Sequence, residues 1–526
     1  MTSRRYRIKE GYRARSSPAY FEDAIADDRR IVHQPDVYPF ARHVALGFGC
    51  DAILDVGCGH AHKLATLHPE LKVTGLDIGP NIAWARAHHR FGRWIEHDLE
   101  APLPDFPASE LGRTAVVCSD VIEHLVDPEP LLTSLARLLD HAPVLVLSTP
   151  ERDRVRGLDD MGPPANPAHV REWNQRELEE LLVDDSRLNV AFLGLTRNND
   201  RDSQKRTLIA VVHKNGTPRP GRSAPPDFSV IAYMTAYNEV DILEASVARL
   251  ADQGVKVYLI DNWSDDGTYE LASGRLRPLL AGLERFPIEG PSRYYEWHAL
   301  LSRVEELALV SGASWCIHHD VDEAREPCWR GVSLRDALYT VDEMGFNAVD
   351  HTVINFHPID DGFAPGTRFD EYFRYWDFGG RPGHFSQIKA WKRQSHPVRL
   401  AATGGHEVEF PGRRTFPYKF LLRHYPVRST EHGRRKIFAE RLSRYSPDER
   451  RIRGWHSQYD HLGAGTKFLR SAADLHEFDR ALFYDEFLVE RLSGGSIPRD
   501  GTSGGGGGRL KALQDRLRTL LSRLRR

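Results

Sequence analysis

The chain has 526 residues, of which 40% are hydrophobic and 28% charged, values ordinary for a soluble globular protein. A formal net charge of −3 excludes the strongly basic balance of a nucleic-acid-binding protein. No apolar run approaches the roughly 20 residues that span a bilayer, and the polar start lacks the apolar core of a secretory signal. The five cysteines form no CxxC pair, which predicts buried free thiols. We therefore expect a cytoplasmic protein of several domains.

The first part of the chain alternates between strand and helix patterns. Residues 1–44 are polar and arginine-rich, and we predict a helical lead-in there. A domain is predicted over 45–213, where short apolar segments alternate with helical stretches. Its strand candidates are AILDVG, KVTGLDI, AVVCSDV, PVLVLST, VAFLGLT and TLIAVVH. Such alternation predicts βαβ units and a mostly parallel sheet.

Polar residues recur where these strands end. The first strand runs from Asp55 into a glycine turn, Gly57-Cys58-Gly59, whose glycines let the backbone approach a ligand closely. Open α/β sheets bind ligands at this carboxyl edge. Asp77 ends the next strand about 20 residues on, where an acidic residue can accept ribose hydroxyls. Asp98 and Asp120 follow the third and fourth strands.

This ladder of acids, with the string DVIEHLVDP, resembles the class I S-adenosylmethionine-dependent methyltransferases. The resemblance covers about residues 45–213 and implies S-adenosylmethionine as cofactor, with its ribose at Asp77 and its adenine at Asp98. Where the family has a third glycine this chain has Ala61, which is tolerable if its φ stays negative. The cofactor-binding residues that the resemblance implies are Asp55, Gly57, Cys58, Gly59, Asp77, Asp98, Ser119 and Asp120.

A hydroxyl acceptor needs a general base with a pKa near neutrality, and histidine serves that role best. The candidates are His124 and His169, in DVIEHL and NPAHVREWN. Each of them also suits a purely structural role in the domain.

Residues 214–227 are rich in proline, glycine and basic residues without periodicity, which predicts an interdomain linker. A second α/β alternation begins at Phe228, and we predict a domain over 228–480. In WCIHHDVDE a buried strand runs into alternating acids, so Asp320 and Asp322 would point to the same side. Two such carboxylates repel each other unless a cation neutralises them, and Mg²⁺ or Mn²⁺ prefers such oxygen ligands.

With TAYNEVDIL and IDNWSDDGT upstream in the right order, this segment resembles GT-A glycosyltransferases of the family 2 type. The resemblance implies a nucleotide-sugar donor, a glycan or lipid-linked acceptor, and a bound Mn²⁺ or Mg²⁺. It implies Tyr237, Asn238, Glu239, Asp261, Asn262 and Asp320 as nucleotide-sugar-binding residues. The metal ligands it implies are Asp320 and Asp322, with His424 or His406 as a histidine ligand.

Family 2 enzymes usually invert the anomeric centre, and a single displacement needs one carboxylate to deprotonate the acceptor hydroxyl. Candidates for this base are Asp360, Asp361 and Glu407. The sequence does not choose among them.

The predicted fold class is therefore α/β, with two doubly wound Rossmann-like domains in tandem: a class I methyltransferase fold and then a GT-A fold. A glycine-rich tether over 494–508 and a basic amphipathic helix over 509–526 follow. The leucines and arginines of that helix suit the inner face of a membrane or a coiled-coil partner equally well.

Taken together, these features predict a bifunctional transferase of surface polysaccharide biosynthesis that extends a glycan and methylates a sugar or small-molecule hydroxyl. The alternative is a glycosyltransferase whose first half is an inactive scaffold or binding module.

Overall fold

The computed structural model describes residues 5–19, 31–378, 387–455, 459–463 and 465–494. The predicted helix over 509–526, and the predicted tether beyond Gly494, lie outside the described residues. Within them, no helix is long and apolar enough to cross a membrane. All five cysteines are buried free thiols, as predicted.

Seven strands form the sheet of the first half. They are β1 (Ala52–Val56), β2 (Lys72–Asp77), β3 (Arg93–Glu96), β4 (Thr114–Ser119), β5 (Val144–Pro150), β6 (Asn189–Arg197) and β7 (Lys205–His213). Their order in the sheet is β3-β2-β1-β4-β5-β7-β6, and all run parallel except β7. The six predicted strand segments are confirmed. Helices cover both faces of such a sheet, which explains why its central strands are almost continuously apolar.

The helices of the first half connect these strands. They are α1 (Val37–Gly47), α2 (His62–Ala65), α3 (Gly79–His88), α4 (Ala108–Leu111), α5 (Glu129–Leu138), α6 (Arg152–Arg156) and α7 (Gln175–Glu180).

The predicted helical lead-in differs from what is observed. Among the described residues before 45, helical structure is confined to a turn at Arg5–Arg7 and to α1, which crosses the predicted boundary. Between them the chain lies against the domain, with Arg15 N donating to Val170 O at 2.9 Å.

Among the described residues, the second half contains eleven strands in two sheets. They are β8 (Val230–Ala236), β9 (Lys256–Asp261), β10 (Leu280–Arg285), β11 (Trp315–Asp320), β12 (Glu323–Glu326), β13 (Ala348–Val349), β14 (His351–Phe356), β15 (Tyr375–Phe378), β16 (Ala390–Lys392), β17 (Phe420–His424) and β18 (His476–Glu477). One sheet has the order β10-β9-β8-β11-β16-β13 and the other β12-β17-β14-β15-β18.

Both sheets of the second half are mixed, so the expectation of a single doubly wound domain needs correction. In the first of them β10, β9, β8 and β11 are parallel, whereas β16 is antiparallel to β11. Only Val321 and Asp322 separate β11 from β12, and at this turn the chain leaves one sheet for the other. The two acids of the Asp-x-Asp motif therefore flank the point where the sheets meet.

The helices of the second half are mostly short. They are α8 (Leu243–Asp252), α9 (Thr268–Ser273), α10 (Trp297–Val310), α11 (Leu334–Glu343), α12 (Phe369–Tyr372), α13 (Thr430–Arg434), α14 (Pro447–Arg453), α15 (Arg480–Glu486) and α16 (Leu488–Ser493). A π-helical turn, Arg435–Arg441, continues α13.

One apolar core runs through both halves. It includes Val44 and Val211 from the first half, and Phe346 and Tyr418 from the second. Helix α16 returns to the first sheet, where Leu488 packs on Gly194 of β6; a Cβ on that glycine would lie 3.0 Å from Leu488 Cβ. The predicted linker contains no helix or strand. The two halves are thus packed together rather than held apart by a spacer.

Candidate functional site

The glycine turn after β1 adopts a conformation that glycine permits. Gly57 and Gly59 have φ of +89° and +52°. A Cβ on Gly57 would lie 2.3 Å from Val121 Cγ2, so no larger residue fits there. Ala61 has φ of +58°, so the condition under which alanine is tolerable at this position, a negative φ, is not met. Its carbonyl accepts from Ala65 N at 2.8 Å in the first turn of α2, and this helix start holds Ala61 in the left-handed region.

Asp77, at the end of β2, fastens this turn to the neighbouring strand. Its Oδ2 accepts from Gly59 N at 2.7 Å, and its Oδ1 accepts from Ile78 N and Asn81 Nδ2, each at 2.8 Å. Asp55 lies beside it on β1 and accepts from Tyr38 Oη at 2.7 Å. Both carboxylates are buried. Of the predicted cofactor residues, Asp55, Gly57, Cys58, Gly59 and Asp77 thus lie around one turn.

Ser119 and Asp120 lie at the end of β4, next to β1, where the strand order reverses and open α/β sheets bind ligands. Ser148 Oγ is 2.9 Å from Ser119 Oγ and donates to Asp120 Oδ1 at 2.9 Å. Burial raises the pKa of Asp120. Asp98 is exposed beyond β3 and accepts from Glu100 N at 3.0 Å.

The two candidate histidines of this half lie together. The rings of His124 and His169 are 4.8 Å apart at their centroids. His124 Nδ1 contacts Ala168 O at 2.9 Å, and burial lowers the pKa of His124 to about 4. His169 Nδ1 lies 2.6 Å from Glu172 Oε1, which fixes the orientation of its ring.

Glu123 completes a cluster with these histidines. One ligand atom from each of Glu123, His124 and His169 lies within 4.8 Å of the others, and no other such group of three exists among the described residues. Glu123 Oε2 accepts from Thr149 Oγ1 at 2.9 Å, whereas its buried Oε1 has no hydrogen-bond partner. Burial raises the pKa of this carboxyl well above its usual range. One carboxyl group and two imidazoles form a donor set that a divalent cation can bind once the carboxyl is ionised.

In the second half a cavity of about 1160 Å³ opens at the carboxyl ends of β8 and β11, where the strand order of that sheet reverses. Of the residues predicted for this half, those that line it are Tyr237, Glu239, Asn262, Asp320, Asp322, His406 and His424. These residues come from segments nearly 200 positions apart in the sequence. The fold brings them to one place because parallel strands end at the same edge of a sheet.

Two of the residues predicted to bind the nucleotide sugar, Asp261 and Asn238, do not line the cavity. Asp261 is fully buried, and its Oδ2 accepts from Ser264 N at 3.1 Å. Asn238 has φ of +57°, and its Nδ2 donates to Asp265 Oδ1 at 2.9 Å. These hydrogen bonds shape the two loops. The residues next to them in the sequence, Tyr237 and Asn262, line the cavity.

The acids of the Asp-x-Asp motif are neutralised by lysines. Asp322 Oδ2 is 2.7 Å from Lys436 Nζ, and Asp320 Oδ2 is 2.9 Å from Lys389 Nζ. Within the described part of the chain these acids form no three-membered ligand group with His406 or His424. His424 Nε2 is 3.9 Å from Asp322 Oδ1, while His406 Nδ1 contacts Gln387 Nε2 at 2.9 Å. The predicted metal ligands therefore do not fit a compact metal centre.

The predicted bases of glycosyl transfer lie outside the cavity. Asp361 is exposed and accepts from Thr430 N at 2.6 Å, and Asp360 accepts from Tyr372 Oη at 2.6 Å. Glu407 pairs with Arg413 at 2.5 Å. All three lie in connecting segments whose path the sequence pattern did not define.

A carboxylate that the sequence did not indicate, Asp377 of β15, lines the cavity instead. Its Oδ1 is 2.9 Å from His357 Nε2. Asp377 is paired in register with Asn355 of β14, which is itself paired with His424 of β17. Adjacent strands lie about 4.8 Å apart, so Asp377 is about 10 Å from His424 across this row. Asn355 lies between them in the row, and its Oδ1 is 3.0 Å from His424 Nδ1.

Residues 29–185 match a family model described as a methyltransferase domain. A probable S-adenosylmethionine-dependent methyltransferase of Mycobacterium tuberculosis (strain H37Rv) is 32% identical over 167 residues, which are 30% of this chain and 58% of that protein. A ubiquinone biosynthesis O-methyltransferase of Xanthomonas oryzae pv. oryzae (strain PXO99A) is 31% identical over 105 residues, 19% of this chain and 43% of that protein. The chain thus spans about half the length of these curated relatives.

Among solved structures, a SAM-dependent methyltransferase from Aquifex aeolicus is 17% identical, covers 34% of this chain and 93% of its own, and has a TM-score of 0.25.

Proposed function

Residues 29–185 are a class I S-adenosylmethionine-dependent methyltransferase domain, and from that premise we propose that the first half methylates a hydroxyl of a sugar or another small molecule. The observation that carries this proposal is the joint position of the glycine turn, Asp77 and the Glu123–His124–His169 cluster. Strands β1, β2 and β4 all end on this side of the sheet, so a cofactor on the turn would have the cluster beside it.

The acceptor hydroxyl must lose a proton during methyl transfer. His169 is the base that the contacts favour, because Glu172 holds its Nδ1 and Nε2 therefore carries the lone pair. Nε2 accepts from Asn166 Nδ2 at 2.9 Å, and the acceptor hydroxyl would take the place of that amide. A negative carboxylate behind the ring stabilises the imidazolium that forms. If a divalent cation occupied the Glu123–His124–His169 cluster instead, His169 would be a ligand and not the base, and the cation would itself lower the pKa of the acceptor hydroxyl.

For the second half we propose glycosyl transfer from a nucleotide sugar to a glycan or lipid-linked acceptor. Support comes from the convergence of the predicted nucleotide-binding residues on one cavity at a strand-order reversal, as in open α/β sheets that bind ligands. Aromatic side chains on the cavity wall suit sugar rings; among them are Tyr295, Trp297, Trp455, Tyr459 and Phe468.

Asp377 is the base that we propose for this transfer. Its carboxylate lines the cavity, and His357 orients it. Asp377 lies two strands away from His424, the histidine that is 3.9 Å from Asp322. In a single displacement, Asp377 takes the proton of the acceptor hydroxyl while the nucleoside diphosphate leaves from the opposite face of the sugar.

Two measurements on the full chain test these proposals separately. Calorimetric titration with S-adenosylmethionine should give binding at a single site, whereas absence of binding would favour the inactive scaffold. A thermal-shift screen of nucleotide sugars should raise the melting temperature with at least one donor. If no donor has any effect, the proposed glycosyl transfer is wrong.

A further inference from the structure

The two acids of the Asp-x-Asp motif are each held by a buried ammonium group. Lys389 is 3% exposed and Lys436 is 6% exposed. The two lysines come from segments after the motif, Lys389 from beside β16 and Lys436 from the π-helical turn. Burial alone would lower the pKa of Lys436, but the nearby carboxylates of Asp322 and Glu239 outweigh it and raise that pKa. The ammonium therefore stays charged.

Each lysine also bridges to a second acid. Lys436 Nζ is 3.1 Å from Glu239 Oε1, and Lys389 Nζ is 2.9 Å from Glu323 Oε1. The other oxygens of these glutamates meet arginines, since Arg428 lies 2.5 Å from Glu239 and Arg325 lies 2.8 Å from Glu323. The charge of the carboxylates at the cavity floor is thus already compensated by side chains.

A divalent cation that bound Asp322 through Oδ2 would have to displace Lys436 from that oxygen. The displaced ammonium would stay buried beside the cation, and a buried charge that loses its partner is strongly unfavourable. The repulsion between carboxylates that leads one to expect a metal is therefore removed here by the protein itself.

Positive charge remains available for a ligand. Arg441 lines the cavity, and its guanidinium lies over the ring of Tyr295 at 4.3 Å. Its side chain is hydrogen-bonded to Tyr295, and the carboxylate of Glu239 helps to keep it charged. Lys389 and Lys436, each paired with two carboxylates, line the same cavity as Arg441.

We propose that the second half binds the diphosphate of its donor through Lys436, Lys389 and Arg441, without a divalent cation. This inference rests on the proposed glycosyl transfer and deepens it. The ligand class is a nucleoside diphosphate. The two lysines supply the positive charge that a metal ion was expected to supply.

The test is calorimetric titration of the full chain with uridine, guanosine, thymidine, adenosine and cytidine diphosphates. Each titration is run in EDTA and again in Mn²⁺. We expect at least one diphosphate to bind with a Kd that differs by less than about twofold between the two conditions. Binding that appears only with Mn²⁺, or tightens tenfold or more, would overturn the inference and leave glycosyl transfer intact. If no diphosphate binds in either condition, the proposed glycosyl transfer itself fails.

A charge-removing variant sharpens this test. Lys436→Met should weaken diphosphate binding in EDTA by about tenfold or more, because charge-assisted contacts are lost. It also exposes Asp322 to a metal, so Mn²⁺ should restore part of the affinity. Lys256→Met at the exposed start of β9 is the matched control and should leave the Kd unchanged. The comparison of the wild-type Kd in EDTA and in Mn²⁺ requires no variant, so it tests the proposal even if Lys436→Met folds poorly.

Discussion

His213 Nε2 lies 2.9 Å from Tyr418 Oη, and this hydrogen bond joins the last strand of the first half to the second half. Both side chains are buried, and Phe48 packs edge-on against both rings. The contact ties the stability of the interface to the protonation of one histidine.

Acid should weaken this interface. Burial lowers the pKa of His213 to about 4, against about 6.5 in an unfolded chain. The unfolded chain therefore takes up the proton first, so the contribution of His213 is full above pH 6.5 and is lost as pH falls toward 4. By pH 5 the loss is roughly 2 kcal/mol.

His213→Gln tests this prediction through urea unfolding at pH 7.5 and 5. The wild-type unfolding free energy should fall more steeply with acid than that of the variant. Tyr418→Phe keeps the histidine, so it should lower stability by about 1–3 kcal/mol at pH 7.5 while retaining the steep pH dependence. Equal slopes for wild type and His213→Gln would contradict the assignment.

Asp77→Ala should impair cofactor binding. The substitution removes the acceptor for Gly59 N and for Asn81, so the glycine turn loses its link to β2. We expect S-adenosylmethionine affinity to fall about 10- to 100-fold in calorimetry. The exposed Asp105→Ala serves as the control. Binding of diphosphates to the second half should not change, and a joint loss would point to general unfolding instead.

Titration of the metal-free chain with Mn²⁺ should locate any cation site in the first half. His169→Ala removes one of the three clustered ligand atoms and should weaken Mn²⁺ binding at least tenfold. Asp322→Ala should leave that binding unchanged, because Lys436 rather than a metal accompanies Asp322. The opposite pattern, with Mn²⁺ lost only in Asp322→Ala, would refute both assignments at once.

Asp377→Asn should slow glycosyl transfer about 10²- to 10⁴-fold in kcat, the usual loss when a general base is removed. The donor KM should stay close to wild type, because the role proposed for Asp377 is toward the acceptor and not the donor. His357→Gln should cause a smaller loss and shift the pH profile of kcat. Should Asp361→Asn reduce kcat more than Asp377→Asn, the base would be misassigned.

Local sequence patterns predicted the parts of the sites that follow directly from strands. Asp77 and Asp320 each end a buried strand, and an alternating or continuous apolar run fixes where such a strand stops. The same reasoning located the glycine turn, whereas His124 and His169 were chosen because histidine is the residue type that suits a general base. Residues that follow adjacent parallel strands lie close together, because such strands all end at the same edge of the sheet.

Residues that depend on long-range pairing were not predicted. Lys389 reaches Asp320 only because β16 turns back antiparallel beside β11, and nothing in the string AWK signals that pairing. Asp377 reaches the cavity through the register of β14 and β15. Residue type alone makes Asp361 and Glu407 candidates for the base of glycosyl transfer, but the composition of a loop does not determine where the loop lies.

The return of α15 and α16 to β6 limits how this protein can be dissected. Strand β6 is the outermost strand of the first sheet, and helices from the far end of the described chain cover its surface. A fragment cut at residues 214–227 would leave an apolar surface bare beside unprotected backbone amides, the circumstance in which sheets associate with one another. Attempts to obtain the first half by itself should therefore yield aggregates, unless residues 480–494 are supplied as a separate peptide.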